Sequence, residues 1–127
     1  MTLTHINPAR LHSSPAFSQG VLAQGTRTLY VGGQNGTDTE GAISGGIAEQ
    51  TAQALRNVLT VLEEAGAGPE HVARMTIHVH VDADLMAGFA ASAEVWGAHP
   101  TAITVLRVAG FARPDALVEI DAIAVLP

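Results

Sequence analysis

Residues 99–125 read HPTAITVLRVAGFARPDALVEIDAIAV, and their alternation decides the fold. From Ala116 to Leu126 apolar residues alternate with Glu119 and Asp121, the period-two pattern of a strand with one buried face. Leu117, Glu119, Asp121 and Ile123 then point one way, and Val118, Ile120, Ala122 and Ala124 the other, so Glu119 can face a cleft without disturbing a core. Ala102–Val108 reads as a second strand, on which Ile103, Val105 and Arg107 share a face. The turn between the two strands carries Arg113 ahead of Pro114, where a solvated charge is expected.

Working outward, Val72–Val81 reads as another strand, and Asp82 or Asp84 can cap a helix that runs to about Gly97. Between Ile47 and Ala65 the positions Ile47, Thr51, Ala54, Leu55, Val58, Leu62 and Ala65 recur at three and four residues, which makes a helix with one buried stripe, stopped by Gly66. Gln34–Gly46, rich in Gly, Asn, Asp and Thr, is a loop. Leu29–Val31 reads as a strand, paired by a hairpin with Gln19–Ala23. Two helices against one mostly antiparallel sheet, an α+β architecture, is the simplest assembly of these elements.

Several segments, in the same order, resemble the Rid (YjgF) family, whose members are also labelled L-PSP endoribonuclease. Pro15–Val21 (PAFSQGV) is similar to the family's Pro-Tyr-Ser-Gln-Ala-Val, and Leu29–Gln34 (LYVGGQ) to its strand ending Val-Ser-Gly-Gln. Gln50–Leu59 (QTAQALRNVL), followed by Leu62–Ala67 (LEEAGA), matches Gln-Thr-x-x-Ala-Leu-x-Asn-Leu, and His99–Val125 resembles its C-terminal signature. The resemblance implies a chorismate-mutase-like fold assembled as a homotrimer, with small-molecule clefts between subunits and no cofactor.

The resemblance also implies a set of site positions. Ile103 stands where the deaminating members carry the arginine that holds a substrate carboxylate, and no aliphatic side chain imitates a planar guanidinium fork. Phe17 replaces the usual tyrosine and Gly32 a serine, while Phe89 and Ser92 replace an asparagine and a tyrosine. Glu119 matches the glutamate that positions the attacking water, and a backbone donor at Ile103 or Thr104 is the remaining candidate for ligand contact. Arg107 lies four residues beyond Ile103, about 13 Å at roughly 3.3 Å per residue, too far to take over that contact. It is expected to pair with Glu119 or Asp121.

Composition narrows the functional classes. The chain of 127 residues is the size of one domain, residues 1–127, with room for one core. It carries no cysteine, which excludes disulfides and thiol nucleophiles. A net charge of −6, with six unclustered basic residues, gives no stripe for phosphate contacts, so no nucleic-acid partner is expected. Neither a membrane-spanning stretch nor a leader is read from the sequence, so a cytoplasmic location is the expectation.

His78 and His80 share one strand face at a spacing metal sites use. A catalytic zinc needs three protein ligands and no third is identifiable, so a polar sheet face is preferred. The serines lack a nucleophile elbow, and the Gly41–Gly46 loop lacks the Lys-Ser/Thr of a phosphate loop. The expected function is therefore a Rid-family protein with an interfacial small-molecule cleft that is not a standard 2-imino-acid deaminase. The alternatives are an enamine or imine deaminase, or another hydrolase, using Glu119 to position water, and a ligand-binding trimer without turnover.

Overall fold

The computed structural model describes residues 2–127. Six strands and two helices follow in the order β1 (Thr2–Ile6), β2 (Gly20–Gln24), β3 (Arg27–Gln34), α1 (Ile47–Glu64), β4 (Val72–His80), α2 (Leu85–Trp96), β5 (Ala102–Val108) and β6 (Val118–Leu126). Four strands form the main sheet in the order β3-β6-β4-β5, in which only β4 and β5 run parallel. Both helices pack on the same face of this sheet, and the fold is the α+β one the sequence implies.

Alternation on β6 is strict. Val118, Ile120, Ala122, Ala124 and Leu126 are buried beneath α1, while Glu119, Asp121 and Ile123 turn to the face without helices. Leu55, Val58 and Leu62 of α1 complete the core with Val31, Val72 and Met75. A shift of register between Val72 and Arg74 lets both Val72 and Met75 point inward.

The helix ends follow their local chemistry. Glu49 Oε2 accepts from the Gly46 N–H at 3.0 Å at the start of α1, and Gly66, at φ +76°, ends it where an L side chain would be strained. Asp84 Oδ1 accepts from the N–H groups of Met86 at 3.0 Å and Ala87 at 3.2 Å, which starts α2.

Gln50 and Asn57, which carry the α1 part of the resemblance, are structural ties. Gln50 is 3% exposed; its Oε1 accepts from the Leu117 N–H at 2.8 Å and its Nε2 donates to Asp115 O at 3.2 Å, so α1 holds the start of β6. Asn57 Nδ2 donates to Asn35 O at 3.1 Å and Thr37 O at 2.9 Å, anchoring the loop after β3.

Two expectations are corrected. Gly20–Gln24 pairs with Thr2–Ile6, not with Leu29–Val31, because residues 25–26 turn β3 into the main sheet beside β6. Arg107 makes no ion pair with Glu119 or Asp121. β4 lies between β5 and β6, and the Arg107 guanidinium instead donates to Val81 O at 3.4 Å. Arg113 is a surface charge as expected, its side chain 42% exposed, and it also donates to Gly41 O at 2.9 Å and pairs with Asp115 at 3.3 Å.

Candidate functional site

Ile103, on β5, faces the helices and packs against the core beside Met75, its register partner on β4. Above it lies a cleft of about 450 Å³ with Leu55, Met75 and Ile77 at its floor and Phe17, Phe89, Ser92, Trp96, His99 and Val105 around it. The segment bearing Phe17 is tied down at its C-terminal side. The Ser18 N–H donates to Thr101 O at 2.9 Å, Ser18 Oγ lies 2.7 Å from His5 Nδ1, and the Phe17 ring meets His12 edge to face at 5.9 Å. The far wall is held by Trp96 Nε1, which donates to His99 O at 3.1 Å, and by buried Thr101, whose Oγ1 donates to Val72 O at 2.7 Å.

Among the described residues His99 is the only titratable side chain lining this cleft, and no arginine reaches it. Arg74 projects from the other face of the sheet, where its guanidinium donates to Thr104 Oγ1 at 2.8 Å. A ligand here meets hydrocarbon and aromatic rings, so an unpaired carboxylate would be desolvated without compensation.

Glu119 belongs to the opposite face. It stands across from His78 in the β4–β6 register, and His78 Nδ1 lies 3.3 Å from the Glu119 carbonyl oxygen. On the β3 side the Glu119 carboxylate covers Gly33, where any Cβ would overlap it, and the chain bulges between Val31 and Gln34 to allow this. Gly32 adjoins the same bulge with open space around it. The seven sequence-derived positions therefore fall into two groups. Phe17, Phe89, Ser92 and Ile103 meet in the helix-side cleft; Glu119, Gly32 and Thr104 lie outside it, Glu119 and Thr104 on the open face.

Several lining residues carried no motif signal, including Trp96, Ala93 and Met75. The single tryptophan, at the end of α2 beside a helix-ending glycine, is the feature that could have pointed to this corner. His80 Nδ1 accepts from the Asp82 N–H at 3.1 Å, and among the described residues no group of three or more metal-ligating side chains is assembled. No helix is long and apolar enough to cross a membrane among the described residues.

Comparison with known proteins agrees with the fold. A crystal structure of YyfB from Yersinia pestis, described as a protein of unknown function of the conserved Rid protein family, superposes with a TM-score of 0.87 at 35% identity over 99% of this chain and 100% of that one. The "RutC family protein slr0709" of Synechocystis is 34% identical over 87% of this chain and 86% of its own length. A human "2-iminobutanoate/2-iminopropanoate deaminase" is 40% identical, but the match takes in 48% of this chain and spans only 44% of that relative's length. Residues 8–126 match the family described as Endoribonuclease L-PSP, and with that match and these relatives the chain belongs to the L-PSP/Rid family.

Proposed function

We propose that this protein binds an uncharged, largely apolar small molecule in the cleft of Phe17, Phe89 and Ile103, and that it is not a standard 2-imino-acid deaminase. The observation that carries this is the absence of any arginine from the cleft lining among the described residues. The imino acids in the human relative's name each bear a carboxylate, and such a group needs a cationic partner in a water-poor site. Acting on a substrate is the second reading, and Glu119 supports it. Its carboxylate lies over Gly33 on the open face with His78 across the strand, an arrangement that can hold a water.

The two groups of residues become one site when the open face of one copy covers the cleft of the next. A head-to-tail contact of that kind closes into a ring, and a homotrimer is the ring we propose. The single chain exposes 7123 Å², against roughly 6,400 Å² expected for a compact monomer of this size. Tyr30 and Leu106 on the open face, and Phe89 and Val105 at the cleft rim, are among the large apolar side chains left exposed. Sedimentation equilibrium at micromolar concentration is expected to give three times the chain mass, and a stable monomer would contradict the ring. We place such a trimer in the cytoplasm as a single-domain protein that needs no cofactor and contacts neither nucleic acid nor membrane.

Trp96 supplies a readout for the ligand. Benzamide, neutral and aromatic, is expected to shift its emission on titration, and Phe89→Ala should weaken that binding severalfold by removing a ring from the wall. An emission spectrum indifferent to benzamide and to other neutral aromatics would count against the cleft as a binding site.

A further inference from the structure

Beside Phe89 the cleft adjoins a smaller, half-open space of about 170 Å³ between α2 and the sheet, the inner chamber, lined by Thr51, Val79, Leu85, Met86, Gly88 and Val118. Phe89, Ile77, Ser92 and Val105 line both spaces, so the two are contiguous. The inner chamber is apolar apart from the hydroxyls of Ser92 and Thr51. Among the described residues Thr51 Oγ1, on a residue 4% exposed, has no hydrogen-bond partner.

That hydroxyl had other options. A threonine inside a helix commonly donates to the carbonyl four residues earlier, as Thr60 does to Arg56 O at 2.9 Å in the same helix. Thr51 does not. It faces α2 at Gly88, where a Cβ would come within 3.5 Å of the Oγ1 and 3.2 Å of Ile47. A glycine within a helix is unfavourable relative to alanine, and here it keeps a methyl group off the hydroxyl where the two helices approach each other. An ordered water needs two to four polar partners, and the other hydroxyl of the lining, Ser92 Oγ, already donates to Phe89 O at 2.7 Å.

We infer that the inner chamber is a subsite for one six-membered ring of the ligand, and that Thr51 Oγ1 makes the hydrogen bond that selects a ring bearing a single uncharged polar group. The inference rests on the reading of the outer cleft as a ligand site and adds to it the chemistry of the ligand's deepest part. The chamber resembles in size an engineered apolar cavity of roughly 150 Å³ that takes up benzene. A ring hydroxyl or amide N–H can donate to Thr51, and a ring carbonyl can accept from it.

Phenol and toluene, which differ by a hydroxyl for a methyl, are suitable probes. Binding is followed on the full chain by methyl chemical shifts, with Val79 and Leu85 reporting the inner chamber and Ile103 the outer cleft. Phenol is expected to move Val79 and Leu85 and to bind about fivefold more tightly than toluene, the yield of one net hydrogen bond. In Thr51→Val, which keeps the shape and removes the hydroxyl, the preference should vanish or reverse, since phenol would bury an unpaired hydroxyl; in Thr51→Ser, which keeps the hydroxyl, the preference should return. Equal binding in the wild type, a preference that survives Thr51→Val, or shifts at Ile103 without shifts at Val79 and Leu85 would each overturn the subsite while leaving the outer cleft intact. Binding of neither probe anywhere would overturn both.

Discussion

Added to a reaction in which a pyridoxal-phosphate dehydratase generates 2-iminobutanoate, the protein is expected to leave the rate of ammonia release essentially unchanged. The imino acid brings a carboxylate, and Ile103 offers it hydrocarbon where the resemblance implies a guanidinium. Losing a charge-assisted bidentate contact while leaving the anion desolvated costs about 2–5 kcal/mol, roughly 30- to 5,000-fold in rate if the contact acts in the transition state. Ile103→Arg is expected to recover little of this, because Phe17 and Gly32 still stand where the resemblance implies a tyrosine and a serine. Wild-type acceleration equal to that of an arginine-bearing relative would defeat the argument. Arg74, with its guanidinium on Thr104 Oγ1, would then be the cation to remove first.

Ile120→Ala should be the most damaging single truncation in the core. Ile120 is 0% exposed on β6, the strand bracketed by β3 and β4, and pairs in register with Ile77 and Gln34. Truncating such a residue removes its transfer free energy and leaves a cavity that a central strand cannot close, about 2–5 kcal/mol in total. That is a large part of the stability of a domain this size, typically about 5–15 kcal/mol. Urea unfolding followed by the single tryptophan would measure it. Glu119→Ala, one residue away on the open face, should change stability far less, and a similar loss in both would mean that the two faces of β6 are not distinct.

Much of the fold is legible in the residues because local chemistry dictates it. The strand read at Ala102–Val108 is β5 residue for residue, α1 ends at the glycine that stops the pattern, and Asp84 is one of the two caps foreseen. Which strand neighbours which is not local. Alternation fixes the two faces of β6 but says nothing of β4 lying between it and β5, so Arg107 looked close to Glu119 when a whole strand separates them.

The same limit governs the site. Ile103 and Thr104 were alternatives as backbone donors, and of their side chains only that of Ile103 lines the cleft, since adjacent strand residues point to opposite faces. Phe17 and Phe89 could be grouped with Ile103 only through the resemblance, since the contacts joining them cross three separate elements. Thr51 fell on the apolar stripe of α1 and passed as one more core position. Its missing hydrogen bond is a property of packing that no spacing reveals.

The measurement that tests the central claim most directly is a titration of benzoate against benzamide, two rings of nearly the same shape of which only benzoate carries a charge at neutral pH, read by Trp96 emission in the wild-type protein. A cleft without a cation should take benzamide and bind benzoate at least about 30-fold more weakly, the lower end of the cost of a desolvated unpaired charge. Benzoate binding as tightly as benzamide, or more tightly, would mean that a cation reaches the ligand and that the protein belongs with the carboxylate-binding members of its family.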